Sequence, residues 1–329
     1  MINDPIFLLG AHKSGTSLLR SLFDGHPSIK TLPIETHFAK LLGWWTKYPM
    51  KRNLPVESVG LHEFRQAASS WIAECNAAAD PYGDSQATGI FDINAFEHEL
   101  SDLSEKTEEQ DLVREYFRAI LRATSNTDIG PEHRVVEKSV ENMEHALRLK
   151  RIFPHARFIH ILRNPYSNLV TLRKYMQKMH PSYPHLDKPV KSIRDSFYFA
   201  EMNSQMIDKY MLIRYEDLVR DTENIMQSVA SFLDVEYVET LLEPSFQGRD
   251  WTGNSVSDGQ FTGISTDRLT PWKSEINSLE IKLVNLHLGS AITTQGYEHI
   301  PEMGGEYRKI KGERLKEYIG NRLQLKRPL

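Results

Sequence analysis

The stretch that decides the fold reads Pro5-Ile6-Phe7-Leu8-Leu9, then Gly10-Ala11-His12-Lys13-Ser14-Gly15-Thr16-Ser17, then Leu18-Leu19-Arg20-Ser21-Leu22-Phe23. Its short apolar run at 5–9 is typical of a buried parallel strand, and the apolar periodicity after Ser17 is typical of a helix. The glycines at positions 10 and 15 mark a turn between the two. A strand, a glycine-rich loop and a helix in this order direct backbone N–H groups and a helix N-terminus at a phosphate. The stretch therefore predicts an anion site built into an α/β fold.

The loop departs from the Walker A pattern GxxxxGK[ST] at one informative position. That pattern requires a lysine after the second glycine, whereas Thr16 follows Gly15 and the nearby Lys13 precedes it. The missing lysine argues against an ordinary ATPase or GTPase. What remains is a cradle for an anion, with a cation in the loop and hydroxyls at the start of the helix. The alternative interpretation is a plain strand-to-helix connection.

Composition excludes several classes of protein. The chain has 329 residues, 40% of them hydrophobic and 26% charged, which is ordinary for a globular protein. Its net charge of −4 gives no basic excess that would favour nucleic acid or an anionic membrane. A single cysteine, Cys75, excludes an internal disulfide and fits a reducing compartment. No apolar run approaches the roughly 20 residues of a membrane span, and the first strand begins too close to Met1 for a signal peptide. We therefore expect a soluble, cytoplasmic protein without a nucleic-acid partner.

Four later segments extend the α/β pattern. The runs 28–32, 134–137, 157–162 and 210–215 are typical of strands, and helical periodicity lies between them. Alternating strands and helices predict a parallel sheet with right-handed crossovers. We therefore expect a single P-loop-type α/β domain over residues 1–329, with its parallel sheet flanked by helices.

Three other segments do not follow this alternation. Residues 38–125 are mainly helical in pattern, and we interpret them as an insertion that binds the acceptor substrate. Its aromatic residues either line an acceptor pocket or pack in the core: Trp44, Trp45, Tyr48 and Trp71. Residues 247–273 lack a convincing element, and a loop of this length in a compact domain is usually functional or disordered. The basic tail 307–329 is interpreted as a solvated amphipathic helix.

Three separated motifs resemble those of one enzyme family. Lys13-Ser14-Gly15-Thr16-Ser17 is similar to the 5′-phosphosulfate loop of sulfotransferases that use 3′-phosphoadenosine 5′-phosphosulfate (PAPS). Arg163-Asn164-Pro165 with Thr171 is similar to the 3′-phosphate motif of that family, which usually carries Ser at the position of Thr171. The run 212–218 resembles the Tyr-Glu-Asp-Leu strand end of the family, which makes Tyr215 a candidate cofactor contact. The chain thus resembles a bacterial-type PAPS-dependent sulfotransferase with features of the tyrosylprotein sulfotransferase branch.

The resemblance implies two anion sites for one donor. The loop 13–17 would hold the 5′-phosphosulfate, and the planar fork of Arg163 with the hydroxyl of Thr171 would hold the 3′-phosphate. The run from Ser255 to Lys273 resembles the loop that closes over PAPS. The implied cofactor contacts are Lys13, Ser14, Gly15, Thr16, Ser17, Arg163, Thr171, Tyr215, Thr270 and Lys273. Transfer would leave adenosine 3′,5′-bisphosphate, and the lack of a Walker lysine and of an acidic metal pair implies that no metal is needed.

The acceptor must lose a proton during transfer, which calls for a general base. Cytosolic members of the family place a histidine just after a lysine on the third strand, and this chain lacks that histidine after Lys138. Tyrosylprotein and many bacterial members instead carry Glu in a Glu-Thr context, which Glu35 matches. We therefore predict Glu35 as the base, with His37 and Glu141 as alternatives. Lys13, Lys138 or both are predicted to stabilise charge on the leaving oxygen.

The acceptor and the oligomeric state stay open at this stage. A small molecule, a lipid, a glycan, a carrier-bound chain or a peptide would each supply a hydroxyl or amine. One rival function is a kinase with an atypical P-loop, which would need ATP and a divalent metal. The other is a catalytically silent protein that binds PAPS or another nucleotide.

Overall fold

The computed structural model describes residues 5–44, 60–77, 85–125, 129–130, 132–179, 182, 184–253 and 263–302. Its strands are β1 (Ile6–Leu9), β2 (Ile29–Thr31), β3 (Arg134–Lys138), β4 (Arg157–Leu162), β5 (Tyr210–Arg214), β6 (Ser245–Phe246) and β7 (Arg249–Asp250). Its α-helices are α1 (Thr16–Phe23), α2 (Phe38–Leu41), α3 (Leu61–Asn76), α4 (Ile93–Ser101), α5 (Glu109–Ser125), α6 (Asn142–Ile152), α7 (Pro165–Met179), α8 (Asp187–Met206), α9 (Tyr215–Arg220), α10 (Thr222–Leu233), α11 (Trp272–Glu275), α12 (Ser278–Leu288) and α13 (Ala291–Thr294).

The chain divides into two compact units. The sheet unit comprises Met1–Leu162 and Phe199–Thr266, and the helical unit comprises Arg163–Tyr198 and Asp267–Leu329. The single domain expected from the sequence stays a prediction. None of the helices among the described residues is long and apolar enough to cross a membrane.

A five-stranded parallel sheet, in the order β2-β3-β1-β4-β5, forms the centre of the sheet unit. Strand β1 lies in the middle, where Ile6 pairs with Val136 on one side and with Arg157 on the other. All four residues of β1 are fully buried, because helices cover both faces of such a sheet. The predicted parallel α/β sheet flanked by helices is confirmed. In open parallel sheets, ligands bind at the carboxyl ends of the strands, at the switch point where the strand order reverses direction. In this sheet that point lies beside β1.

The insertion predicted over 38–125 is helical in the structure. It contains α2, α3, α4 and α5. Helical periodicity at 38–45, 61–79 and 112–123 predicts α2, α3 and α5 but not α4. Tyr116 is the centre of its core, with Phe64 and Phe96 packed against it edge to face. Acceptor binding by this segment remains a prediction.

Two of the aromatic residues for which the sequence left open an acceptor pocket or the core are buried. Trp44 is buried, donates its indole N–H to Glu109 Oε1 at 2.8 Å and has the guanidinium of Arg148 3.8 Å from its ring centre. Trp71 is buried and donates to the backbone carbonyl of Glu35 at 2.9 Å. Trp45 and Tyr48 lie outside the described residues, as does the tail 307–329.

Two local boundaries differ from the sequence interpretation. Tyr215 is the first residue of α9 rather than the last of β5, because the acidic Glu216 and Asp217 favour the first turn of a helix. A threonine before the apolar periodicity of 223–233 predicts a helix cap at Thr222, but Thr222 lies inside the first turn of α10. It is not a cap because its hydroxyl donates to the carbonyl of Leu218 at 2.8 Å.

The helical unit begins at the Arg-Asn-Pro motif. Asn164 Oδ1 accepts hydrogen bonds from the N–H groups of Tyr166 and Ser167, both at 3.1 Å, and so caps α7. Pro165 occupies the first helical position, where its missing N–H costs nothing. The Tyr166 ring stacks on Trp272 with ring centres 6.0 Å apart. The Asn-Pro pair thus fixes where α7 starts and leaves Arg163 just before it.

Strand β3 carries a carboxyl group into the protein interior. Glu137 has no solvent exposure and accepts hydrogen bonds from the hydroxyls of Thr36 (2.7 Å) and Ser139 (2.5 Å) and from the Asn142 amide. Burial is the largest influence on this group and raises its pKa to about 7, although the hydrogen bonds oppose the shift.

We expect the Glu137→Gln variant to remove a pH dependence of stability. In the wild type the raised pKa favours the folded state fully below about pH 4.5, and this contribution is lost as the pH rises through about 7. The loss amounts to about 3 kcal/mol in the free energy of unfolding. Urea denaturation at pH 5 and pH 8 should therefore show the variant gaining stability relative to wild type at the higher pH. The exposed Glu97→Gln is the control, and an equal difference at both pH values would contradict the assignment.

Candidate active site

The loop after β1 is shaped by two glycines in the left-handed region of backbone space. Gly10 has φ 151° and Gly15 has φ 111°. A Cβ on Gly10 would lie 2.7 Å from the carbonyl oxygen of Ile161, and one on Gly15 would lie 2.4 Å from the Tyr215 ring. Tyr215 therefore packs directly on the loop. No side chain larger than hydrogen fits at either glycine without movement.

The loop also holds a buried hydroxyl aimed at no protein partner. Ser14 is 1% exposed, and its Oγ has no hydrogen-bond partner among the described residues. Buried hydroxyls are nearly always hydrogen-bonded, so this atom suits a ligand oxygen. Lys13 has φ 62°, an uncommon conformation for a residue with a side chain. Thr16 and Ser17 begin α1 and are buried. The geometry fits the anion cradle predicted for loop 13–17.

Glu35 lies in a cluster of charged groups contributed by three segments. Lys138, at the end of β3, donates to Glu35 Oε1. His37 Nε2 is 3.8 Å from Glu35 Oε2, and His37 Nδ1 is 2.7 Å from Glu141 Oε1. Glu141 has no solvent exposure, whereas the side chains of Glu35 and His37 are 18% and 12% exposed. All three bases considered from the sequence therefore meet in one place, beside one of the two predicted lysines.

Four neighbouring side chains hold the backbone of residues 35–37. Trp71 donates to the Glu35 carbonyl at 2.9 Å, and the Tyr116 hydroxyl donates to the Thr36 carbonyl at 3.0 Å. Glu137 Oε1 accepts from the Thr36 N–H at 3.4 Å and from the Thr36 hydroxyl at 2.7 Å, and Ser139 Oγ accepts from the His37 N–H at 3.2 Å. We call these four side chains the clamp: Trp71, Tyr116, Glu137 and Ser139.

These bonds explain an unusual backbone conformation. His37 has φ 50°, in the left-handed region where histidine is uncommon. Residues in such conformations persist only where the surroundings over-determine them, and they collect at functional sites. The clamp thus fixes the directions of the Glu35 and His37 side chains before any substrate binds.

The pKa values in the cluster follow from burial and charge together. Burial, the largest influence, raises the pKa of Glu35, but Lys138, His37 and His12 outweigh it and the pKa falls to about 2. Burial likewise opposes the ionised form of Glu141, but the adjacent His37 lowers the pKa of that carboxyl below its usual range. Burial lowers the pKa of His37, but the Glu141 carboxylate outweighs it and raises the pKa above its usual value. Glu35 and Glu141 are therefore ionised at neutral pH.

The cluster suits proton chemistry better than metal binding. Donor atoms of Glu35, His37 and Glu141 lie within 4.8 Å of one another, a span that a cation could bridge. The Lys138 ammonium already neutralises Glu35, however, and its charge would oppose a second cation at the same carboxylate.

The remaining predicted contacts belong to the helical unit. Arg163 is partly buried and lies two residues before the first residue of α7. Thr171 Oγ1 donates within its own helix, to the Ser167 carbonyl at 2.9 Å, so a phosphate contact requires this hydroxyl to turn. Thr270 and Lys273 are exposed at the start of α11. Of the loop predicted over 247–273, residues 254–262 lie outside the described part of the chain.

Several residues of the site were not predicted from the sequence. His12, in the glycine-rich loop, is partly buried, and its desolvation outweighs the attraction of Glu35 and lowers the pKa of His12. The position of His12 in the glycine-rich loop is the one sequence feature that could have indicated its place in the site. Glu137 and Ser139 lie on either side of Lys138. Polar residues at the end of a strand are common, so the sequence pattern gave no sign that these two contact the site. The bond from Trp71 to Glu35 spans 36 positions and leaves no local trace.

A family model, a relative of known function and solved structures all relate this chain to sulfotransferases. A sequence model described as the sulfotransferase family matches residues 5–239. An omega-hydroxy-beta-dihydromenaquinone-9 sulfotransferase, Stf3, from Mycobacterium bovis is 24% identical over 326 residues, covering 91% of this chain and 76% of the relative.

Two solved structures share the fold. The sulfotransferase domain from the curacin biosynthetic pathway gives a TM-score of 0.55 at 20% identity, covering 91% of this chain and 99% of that domain. The sulfotransferase domain from the olefin synthase of Synechococcus PCC 7002 gives a TM-score of 0.52 at 20% identity, covering 92% and 98%. The family match spans most of the chain and confirms the predicted enzyme class, sulfuryl transfer from PAPS. The chain belongs to the sulfotransferase family.

Proposed function

We propose that Glu35 is the general base of a metal-independent transfer of the PAPS sulfuryl group to an acceptor hydroxyl. The observation that carries this assignment is the ionised Glu35 carboxylate, held by the clamp at the carboxyl edge of the sheet and paired with Lys138. His12 of the glycine-rich loop influences the pKa of Glu35, so the carboxylate and the loop are electrostatically coupled. A base next to an anion cradle is the arrangement that this reaction requires.

The transfer step then assigns a role to each group. The acceptor oxygen attacks sulfur and gives its proton to Glu35, while the bond from sulfur to the bridging phosphate oxygen breaks. Negative charge grows on that bridging oxygen, where Lys13, Lys138 and the N–H groups of residues 14–17 stabilise it. Adenosine 3′,5′-bisphosphate and the sulfated acceptor leave.

Lys138 connects the donor to the base. A carboxylate with a pKa of about 2 is a weak base near neutral pH. When Lys138 turns toward the charge on the leaving oxygen, it withdraws from Glu35 and the pKa of Glu35 rises. The base therefore becomes stronger as the donor reacts, and a donor-free site holds it inactive.

For the other end of the donor, we propose Arg163 as the ligand of the 3′-phosphate, helped by Thr171. The support is the Arg-Asn-Pro motif and the position of Arg163 just before the N-terminus of α7, where helix N–H groups favour an anion. Tyr215, Thr270 and Lys273 are proposed as further donor contacts. For Tyr215 the support is its packing against Gly15.

The acceptor is proposed as a hydroxylated metabolite, with lipids tested first because the name of the mycobacterial relative refers to a hydroxylated menaquinone. A screen with ³⁵S-labelled PAPS against hydroxylated lipids, carrier-bound chains, glycans and peptides identifies it. Transfer in the presence of EDTA tests the metal-independent reaction and separates it from a kinase. Binding of adenosine 3′,5′-bisphosphate without transfer to any acceptor would instead indicate a silent binding protein.

We expect Glu35→Gln to separate binding from catalysis. The amide keeps the shape of the side chain but cannot take a proton, so turnover should fall by about 10²- to 10⁴-fold. Calorimetry should show adenosine 3′,5′-bisphosphate binding within a few-fold of wild type, with the exposed Glu97→Gln as control. Full turnover by Glu35→Gln would remove Glu35 from the mechanism.

Arg163→Ala should weaken binding in a way that depends on the 3′-phosphate. Loss of a bidentate, charge-assisted contact costs about 1.5–3 kcal/mol, which is about 10- to 150-fold in affinity for adenosine 3′,5′-bisphosphate. Affinity for adenosine 5′-phosphosulfate, which lacks the 3′-phosphate, should not change. Calorimetry with both ligands measures this, and Arg151→Ala, an exposed arginine in α6, is the matched control. An equal loss for both ligands would contradict the assignment.

A further inference from the structure

We infer that His37 and Glu141 form a relay behind Glu35: His37 receives the acceptor proton from Glu35, and Glu141 is the positioning residue that holds His37. This inference rests on the proposed role of Glu35 and extends it to the fate of the proton. The proposed transfer leaves Glu35 protonated, and the base must lose that proton before the next turnover.

The geometry supplies both halves of the relay. His37 Nδ1 is hydrogen-bonded to Glu141 Oε1 at 2.7 Å, which leaves Nε2 on the side of Glu35. Nε2 and Glu35 Oε2 are 3.8 Å apart, and a shortening of about 0.8 Å would bring them to hydrogen-bonding distance. Such contacts are often long before substrate binds. A carboxylate behind Nδ1 fixes the tautomer whose Nε2 accepts a proton.

Glu141 is committed to this single task. It is fully buried, and its second oxygen, Oε2, has no hydrogen-bond partner among the described residues. It also stands at the position just before α6, where the helix N-terminus stabilises negative charge. A buried carboxylate with one strong partner is costly for stability, which argues for a role beyond packing.

The proton step balances without another reactant. Protonated Glu35 gives its proton to neutral His37 at Nε2, and Glu35 returns to the carboxylate while His37 becomes an imidazolium. The Nδ1–H of that imidazolium stays on Glu141, whose negative charge stabilises it. His37 is 12% exposed and can release the proton to water.

Neutral His37 is the competent form, so transfer should rise with pH through the pKa of His37. The charged and titratable groups that face His37 are Glu35 on its own loop, Glu141 before α6, Lys40 on α2, His12 on the glycine-rich loop and Lys138 on β3. Of these, Glu141 is the hydrogen-bonded one and the largest attraction on His37.

The test compares Glu141→Gln with Thr36→Val, which breaks the clamp without changing charge. Steady-state transfer from ³⁵S-PAPS to the acceptor found in the screen, over many turnovers, is measured from pH 5 to 9. We expect Glu141→Gln to lower the plateau of the pH profile about 10- to 100-fold. The acid limb should move to lower pH, because the Glu141 carboxylate no longer raises the pKa of His37. Thr36→Val should slow transfer without moving that limb, and His37→Gln should remove the limb. The relay would be overturned if the acid limb of the pH profile stayed at the wild-type pH in Glu141→Gln. It would also be overturned if Thr36→Val shifted that limb as Glu141→Gln does.

A second readout does not depend on an acceptor. In protein with ¹⁵N-labelled histidine, the His37 resonance is assigned from its loss in His37→Gln and titrated by NMR. It should titrate above 6.5 in the wild type and lower in Glu141→Gln, whereas equal values would overturn the pairing. Glu35→Gln is measured separately, and full turnover in that variant would reject Glu35 as the base. If His37 titrates by NMR as expected but the acid limb does not shift in Glu141→Gln, only the relay is rejected.

Discussion

The ion pair between Lys138 and Glu35 is the interaction on which the site depends. It joins the end of β3 to the segment after β2, and it forms because Thr31 pairs with Val136 in the parallel register. Two residues past Val136 and four past Thr31, the chain delivers a cation and a carboxylate to the same edge of the sheet. A shift of one residue in this register would turn Lys138 to the other face of the sheet relative to the segment that carries Glu35.

The charges around this pair nearly cancel. With His37 protonated, two carboxylates, Glu35 and Glu141, face two cations, Lys138 and His37. A buried group of four such charges is tolerable only when each has an opposite neighbour. In the mechanism proposed above, an anionic donor competes with Glu35 for Lys138, and its departure restores the pair. That mechanism links donor binding to the strength of the proposed base through one ammonium group. The chain as a whole has a net charge of −4, so the attraction for an anion is local.

Sequence patterns predicted the frame better than the contacts. The strand 157–162 was predicted with the bounds that β4 has, because all six of its residues are buried and a turn follows. Helix α4 was missed because Phe96 and Leu100 are its two buried residues amid charged ones. The meeting of His37 with Glu141 joins positions 104 apart, and only the assembled sheet creates it. Motifs indicated which residues carry chemistry. The clamp around them could not be predicted, because its hydrogen bonds join residues 36 to 102 positions apart in the sequence.

The same edge of the sheet concentrates features that work against stability. Lys13 and His37 have left-handed backbones, Glu137 carries a raised pKa inside the sheet, and Ser14 leaves a buried hydroxyl without a protein partner among the described residues. Elsewhere in the described chain, the left-handed residues Asp234 and Gln247 end a helix and turn a short hairpin, where such conformations are expected. A packed protein retains unfavourable features together at one place only when they serve that place. Substitutions that relax this edge should therefore raise stability and lower turnover together, because the geometry that weakens the fold is the geometry that holds the proposed base.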